Sequence, residues 1–347
     1  MRRILIRVDA TPEIGVGHLM RMVALGQLLD EHGYDVHFAT IATGSKSALS
    51  ATADNFTLHR ISRQAPIGSP EDAAEALALA GVLSPSWIVL DGNAFGSDYQ
   101  TAMKASGARV MSVDDLARGH FVSDVVLNQN YGAERLTYST SPYTRKLLGT
   151  KHILLRREFR EVDPASRRPH EPPNNILVSL GGGSLAGGDA LRALIRVLAA
   201  VPSPGLRFHV AVGMLGVEPE ELRALATSDP VRFQRIPYTG RMADEMRRAD
   251  VAICSGGSTV WELIYMRVPF LAVALNEPQL EFLSTLERDG ICVSIGSHLG
   301  LDAVGVRQTI ERFLARKQLR DRTLEASEGL VDPRRSEREL LATLATT

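Results

Sequence analysis

Two cysteines, Cys254 and Cys292, in 347 residues are too few for a disulfide framework and point to a reducing compartment. Long apolar runs are missing too: none approaches the ~20 residues that span a bilayer. With 39 basic and 40 acidic residues the net charge is −1, so no excess of one sign argues for nucleic acid or an anionic membrane. Basic residues are spread out without interleaved aromatics, which leaves nucleic-acid recognition unsupported. The nine histidines form no His-x-x-x-His pair, and no metal is expected. Asp114-Asp115 has the chemistry to coordinate magnesium, but a lone acidic pair is more often a turn or a helix cap. There is no Gly-x-Ser-x-Gly elbow for a nucleophilic serine and no Gly-Lys-Ser/Thr phosphate loop. Two arginines open the chain, yet the apolar run behind them is short and broken by Arg7 and Asp9. It reads as a first strand rather than a signal peptide, and a cytoplasmic location is expected.

What is present is an ordinary globular composition, 44% apolar and 23% charged, with length for two domains. Strand-like and helix-like runs alternate. Ile4–Val8 reads as a strand and Leu19–His32 as a helix closed by Gly33. Strands follow at Asp35–Thr40, Trp87–Leu90, Arg109–Val113 and Val125–Leu127, with an alanine-rich helix at Glu71–Leu83. This rhythm implies a parallel sheet covered on both faces. It stops at "REVDPASRRPHEPPNN" (160–175), rich in proline and charge, and resumes with strands at Asn175–Leu180, Arg207–Val212, Val251–Cys254 and Phe270–Val273. Helices in this second series are expected at Asp189–Ala200, Met242–Ala249 and Thr259–Met266. The expected division is a Rossmann-like domain at 1–160, a linker at 161–174 and a second Rossmann-like domain at 175–347. The last helix is a candidate to return to the first domain. Ligands of such sheets bind beyond the carboxyl ends of the strands, so the expected class is α/β, GT-B-like, with a cleft between two Rossmann-like domains.

Glycine turns at strand ends carry the candidate chemistry. "IRVDATPEIGVGHLMR" (6–21) contains Gly15-Val16-Gly17-His18. A dinucleotide fingerprint needs a third glycine where Met20 stands, which discounts a nicotinamide cofactor. What remains is a tight turn into a helix whose first amides can hold an anion. Alternatively the glycines only make the turn and His18 faces solvent. "CSGGSTVWE" (254–262) is a second strand–glycine–helix unit. Ser258 and Thr259 suit a helix cap or a phosphate, and Glu262 suits the hydroxyls of a ribose or a capping box. "LVSLGGGS" (177–184), with Gly182, is a third, read as a lining loop. In "ALNEPQLEF" (274–282), Asn276 and Gln279 are uncharged amides that suit sugar hydroxyls or a plain loop.

Together these segments resemble the PseG-like family, the UDP-sugar hydrolases of pseudaminic acid biosynthesis related to GT-B glycosyltransferases such as MurG. The resemblance also includes "VDDLA" (113–117), "LNQNYG" (127–132), "LLGTKHILLRREFR" (147–160) and "MADEMRRADVAICSGGSTVWE" (242–262), and runs from residue 4 to about 290. It implies an active site between the domains, with His18 as the base; Gly15, Gly17 and Arg21 are read as substrate-binding residues. Gly256, Gly257, Ser258 and Thr259 would hold the diphosphate, Glu262 the ribose, and Asn276 and Gln279 the sugar. The implied reaction is metal-free, inverting attack of water at the anomeric carbon, with release of UDP. The chemistry suits these residues. A nucleoside diphosphate leaves readily, whereas water needs a base, and a histidine at the positive end of a helix is expected to be neutral and able to accept a proton. The sequence departs from the family after "WIVLD". Gly92-Asn93-Ala94 replaces His-Tyr-Gly, leaving the Asn93 amide where an aromatic hydroxyl is usual. The loop at 181–188 lacks an Asp-x-x-Asn pattern. Both departures bear on which sugar is taken and whether water is the nucleophile.

Three readings follow: a nucleotide-sugar hydrolase; a glycosyltransferase with an acceptor hydroxyl or amine in place of water, for which residues 42–70 offer an acceptor surface; and a binding protein without activity. No cofactor, nucleic-acid partner or integral membrane segment is expected, and the chain is read as a monomer.

Overall fold

The computed structural model describes residues 2–11, 14–41, 54, 56–61, 65–181, 185–202, 205–213, 218–236, 241–301 and 304–345. It contains two compact units. The first comprises Met1–Thr11, His18–Arg157 and Asp332–Thr347; the second comprises Pro12–Gly17 and Glu158–Val331.

The first unit holds strands β1 (Arg3–Val8), β2 (Asp35–Thr40), β3 (Thr57–Arg60), β4 (Trp87–Asp91) and β5 (Arg109–Val113). It also holds β6 (His120–Phe121), β7 (Val125–Asn128), β8 (Ser139–Thr140) and β9 (Arg145–Leu148). Seven of them form a parallel sheet in the order β3-β2-β1-β4-β5-β7-β9, while β6 and β8 pair apart. Ile4, Leu5 and Ile6 of β1 have no exposure, as a strand covered on both faces requires. The order reverses between β1 and β4, the position where doubly wound sheets open a crevice at their carboxyl ends.

The helix Gly17–Glu31 crosses from β1 to β2 and is buried from Leu19 to Leu29. A Cβ at Gly26 would lie 3.1 Å from Phe56 and 3.3 Å from Phe38, so the missing side chain lets the helix seat closely. Gly33 ends it at φ 78°, the left-handed closing conformation expected of that residue.

A group of charged side chains lies in the middle of this core. Arg7, on β1, is fully buried. It pairs with Asp9 and, at 2.9 Å, with Asp72, and lies 5.0 Å from the Phe95 ring. Asp72 also accepts bonds from the Gly68 amide at 2.8 Å and the Tyr99 hydroxyl at 3.0 Å. Asp9 accepts from Thr40 and the Ile41 amide at 2.7 and 2.8 Å. Every charge in the group is met, which is what permits it at such depth.

The second unit holds β10 (Asn175–Ser179), β11 (Arg207–Ala211), β12 (Phe233–Ile236), β13 (Val251–Ser255), β14 (Phe270–Ala274) and β15 (Val293–Ser297). Their parallel order is β12-β11-β10-β13-β14-β15, with the reversal between β10 and β13. Ile176, Val178, Phe208, Val251, Ile253 and Leu271 form its core with the helix Leu185–Ala199.

The boundaries differ from those expected. Residues 161–174 belong to the second unit and are pinned to it rather than acting as a linker. The Arg167 guanidinium, buried and thereby lowered to about 10, donates to the carbonyls of Ala249 and Arg267. Asp250 accepts from the amides of His170, Asn174 and Asn175 at 2.6, 2.8 and 2.8 Å. Arg167 and the backbone amides of His170, Asn174 and Asn175 thus tie this stretch to the second unit.

The helix Pro333–Ala345 lies in the first unit, where Leu340 and Leu344 are buried. Trp87 Nε1 donates to the Leu344 carbonyl at 3.1 Å, and Ser336 Oγ to that of Ile153 at 2.7 Å. His152, 2% exposed, packs against this helix with Nδ1 3.4 Å from Glu339. Burial pushes its imidazole down to about 4, against the pull of Glu339. In the unfolded chain it titrates near ~6.5, so between those values the unfolded state binds a proton that the native state does not. Stability supplied by the neutral ring is therefore complete above that window and declines as pH falls through it. The denaturation midpoint is expected to drop between about pH 7 and pH 4.5, and to drop less in His152→Gln. Equal pH slopes in the two proteins would contradict this role.

Candidate functional site

In the first unit, side chains converge at the carboxyl ends of consecutive parallel strands. His18 and Arg21, three residues apart in the first turns of Gly17–Glu31, share a helix face. Asp91 ends β4 with its side chain fully buried, Asp115 follows β5, and Asn130 follows β7. His18 Nδ1 lies 2.7 Å from Asp91 Oδ1, and the histidine side chain is 22% exposed. Arg21 Nε donates to Asp91 Oδ2 at 2.6 Å and Nη2 to Asp91 Oδ1 at 2.6 Å. Its Nη1 and Nη2 also reach the two oxygens of Asp115 at 2.7 and 3.0 Å. Asn130 Nδ2 donates to Asp115 Oδ1 at 2.7 Å.

Electrostatics bind this cluster together. Burial alone would push Asp91 up, but Arg21 and His18 outweigh it and hold the carboxyl below its usual range. Asp115 is opposed by the same burial and held well below the carboxylate range by Arg21. The guanidinium, resisted by burial, is raised in turn by Asp115 and Asp91. A carboxylate on Nδ1 orients the ring and leaves Nε2 as the nitrogen that can take a proton, the arrangement of an oriented general base.

Three sequence expectations change here. The partner that decides His18 is a buried carboxylate on another strand, in addition to the helix terminus. Arg21, expected beside the ligand, is buried and engaged by two carboxylates, because a guanidinium at that depth requires them. Asp114-Asp115 is divided: Asp115 holds Arg21, while Asp114 accepts from the Ala117 amide at 2.7 Å and the Tyr138 hydroxyl at 2.8 Å. Among the described residues no group of three or more His, Cys, Asp or Glu side chains is arranged to hold a metal ion.

Asn93 lies exposed in the turn just past Asp91. Gly92 shapes that turn at φ 151°, where a Cβ would come 3.1 Å from Phe95. Gly15 has φ 78°, which favours glycine, whereas Gly17 needs no unusual conformation and a Cβ there would meet nothing within 4 Å.

In the second unit the structure brings Gly181, Gly256, Gly257, Ser258, Thr259, Asn276 and Gln279 to the carboxyl ends of β10, β13 and β14. Gly182 lies outside the described residues. Ser258 has helical φ/ψ of −58° and −24° and makes no capping bond, so its hydroxyl does not cap the helix Thr259–Tyr265. Glu262, expected to face a ribose, is buried and has a partner within the protein. Asn276 and Gln279, expected to face a sugar, close the start of the helix Glu277–Arg288. Asn276 Oδ1 accepts from the Gln279 amide, and Gln279 Oε1 from the Leu275 amide, both at 3.0 Å. Short polar side chains ahead of a helix take up its unpaired amides first. Their own amide nitrogens remain the groups to donate outward.

The two turn glycines differ in a testable way. A Cβ on Gly256 would lie 3.1 Å from Gln279 Cβ and from Leu283, while one on Gly257 would only approach Ser255 Oγ at 3.9 Å. Gly256→Ala is expected to lower stability by about 1–3 kcal/mol through overpacking. Gly257→Ala is expected to stay within about 0.5 kcal/mol of the parent. Denaturant midpoints check both, and equal losses would contradict the difference in packing.

Two doubly wound, parallel Rossmann-like units of this kind define the GT-B class of folds, and solved structures agree. The chain matches MurG of Acinetobacter baumannii at TM-score 0.65 and 18% identity, over 100% of both chains. It matches the spinosyn rhamnosyltransferase SpnG, complexed with thymidine diphosphate, at TM-score 0.69 and 17% identity, over 99% of this chain and 100% of that one. Identities this low establish the fold alone.

By sequence the chain is 24% identical to "Uncharacterized protein MJ1062" of Methanocaldococcus jannaschii over 293 residues, 80% of this chain and 57% of that protein. It is 29% identical to the spore coat polysaccharide biosynthesis protein SpsG of Bacillus subtilis over 181 residues, 50% of each. The chain thus spans about half the length of these curated relatives. No protein-family model matches it.

Proposed function

We propose that this chain is a nucleotide-sugar-dependent glycosyltransferase, with His18 as general base and Asp91 orienting it. The observation that carries the reading is the 2.7 Å contact between His18 Nδ1 and the buried Asp91 carboxylate at a sheet reversal. With Nδ1–H donated to Asp91, Nε2 accepts the proton of a hydroxyl as its oxygen attacks the anomeric carbon. The bond from that carbon to the diphosphate breaks, and the nucleoside diphosphate leaves with the electron pair. Attack opposite the leaving group inverts the anomeric centre. The second unit takes the diphosphate on the Gly256–Thr259 turn, where the Ser258 hydroxyl does not cap its own helix. The Asn276 and Gln279 amide nitrogens donate to sugar oxygens. The names of the matched structures and of the Bacillus relative, a rhamnosyltransferase with thymidine diphosphate and a polysaccharide biosynthesis protein, support transfer over hydrolysis.

The resemblance of the glycine and histidine segments to UDP-sugar hydrolases supports the second reading, in which water takes the acceptor's place. Phosphorus and proton NMR separate the two. UDP-2,4-diacetamido-2,4,6-trideoxy-altrose and a panel of UDP- and dTDP-sugars are supplied first alone, then with sugar-hydroxyl acceptors. Transfer gives nucleoside diphosphate only with acceptor; hydrolysis gives it with free sugar alone; release in neither setting overturns both.

A further inference from the structure

His18 Nδ1 has two neighbours with opposite requirements. Asp91 Oδ1, at 2.7 Å, accepts a hydrogen bond, while Arg21 Nη2, at 2.9 Å, can only donate one. A neutral imidazole carries a single N–H. If Nδ1 bears it, Nε2 is the basic nitrogen. If Arg21 donates to Nδ1, the hydrogen moves to Nε2 and no lone pair is left there to accept a proton. The outcome depends on where Arg21 Nη2 directs its two hydrogens. Asp91 Oδ1 at 2.6 Å and Asp115 Oδ2 at 3.0 Å take them both.

We infer that Asp115 is a positioning residue that selects the tautomer of His18 by holding the Arg21 guanidinium off its Nδ1. Asp115 also takes Nη1 at 2.7 Å, and Asn130 fixes the carboxylate through its own 2.7 Å bond. Asp115 acts through Arg21, whose guanidinium its two oxygens hold. With the guanidinium so engaged, Nδ1–H belongs to Asp91 and the Nε2 lone pair is available. The kinetic consequence rests on the proposed role of His18 as base; the tautomer itself does not.

Nitrogen NMR of the full chain, labelled at histidine, reads the tautomer directly. The His18 signals are identified by their loss in His18→Asn. In the parent protein, at the deprotonated limit of a pH series, Nδ1 is expected to be of the hydrogen-bearing type and Nε2 of the lone-pair type. Asp115→Asn is expected to shift the tautomer ratio several-fold toward Nε2–H, Asn130→Ala to shift it in the same direction, and Asp115→Glu to restore it. The other histidine signals report whether each variant keeps its fold. Should Asp115→Asn fail to fold, the parent spectrum and Asn130→Ala still decide. A parent His18 already carrying its hydrogen on Nε2 overturns the proposal, as does a folded Asp115→Asn with an unchanged ratio. In the proposed reaction the same variant is expected to lower kcat with KM unchanged. A tautomer shift in a protein inactive on every nucleotide sugar would leave the positioning role standing and remove the enzymatic one.

Discussion

Replacing Asp91 with asparagine is expected to lower turnover by about 10²–10⁴-fold, the usual contribution of a positioned general base. The reason is local. Asp91 is buried and reaches His18 and Arg21. Asparagine nearly preserves its shape but removes the charge that, in the proposed reaction, stabilises the imidazolium formed as His18 takes the proton. Its amide can also donate to Nδ1, which puts the ring hydrogen on Nε2 and removes the base. Because a fully buried side chain does not face the substrate, KM and nucleotide affinity are expected to hold. The loss belongs in kcat. The Asp91 carboxyl, held below its usual range by Arg21 and His18 against burial, stays ionised down to about pH 4, so an activity limb above that pH reports another group. A variant with full turnover would remove Asp91 from the mechanism.

Arg21→Met is expected to cost about 3–5 kcal/mol, because it leaves Asp91 and Asp115 with no counter-charge. In a unit of this size that corresponds to a melting temperature lower by about 6–20 °C. Arg21→Lys is expected to recover only part, since an ammonium cannot bridge two carboxylates in a fixed fork. The pH dependence has a definite sign. In the parent protein both carboxyls are held below their unfolded value of ~3.9, so their contribution is present above that pH and lost as pH falls through the folded values. In Arg21→Met the largest opposition to burial is gone, leaving His18 beside Asp91 and the Asn130 bond to Asp115, so both carboxyls rise relative to the parent. The variant's deficit is then largest near neutral pH and narrows on acidification, when the carboxyls take up protons. A deficit independent of pH would show that packing, rather than charge, is what Arg21 supplies.

Part of the site was legible in the sequence and part was not. Gly256-Gly257-Ser258-Thr259 stands out because glycines directly after a buried apolar run mark a turn at a strand end, and Gly15-Val16-Gly17-His18 because its glycines stand at the start of a helical apolar period; both signals are local. The rest of the cluster is not local: Asp91, the partner of His18, and Asp115 and Asn130 behind it lie at or just past the ends of three later strands, brought together by the parallel pairing of β4, β5 and β7. One signal was available. Asp91 closes the apolar run Trp87–Leu90, so it stands at the same level of the sheet as the end of β1, with which β4 pairs at Val8.

The edge strands were hidden for a different reason. β3 has exposed and partly buried positions and β12 two exposed positions between two buried ones, neither in alternation, so no period of two shows in their residues. Residues 161–174 were misread because proline and charge look alike whether they are solvated or, as with Arg167, engaged with backbone carbonyls. Asn276 and Gln279 show the limit of side-chain chemistry as a guide. Amides that suit a sugar suit a helix start equally well, and the helix takes their carbonyl oxygens.

The central claim is that His18 removes the proton from the attacking group. The most direct measurement is nucleoside diphosphate release followed by phosphorus NMR for the parent and His18→Asn, with UDP binding measured alongside by calorimetry. Release from the parent, its loss by about 10²–10⁴-fold in the variant and an unchanged UDP affinity is the expected result. Release at the parental rate from His18→Asn would contradict it.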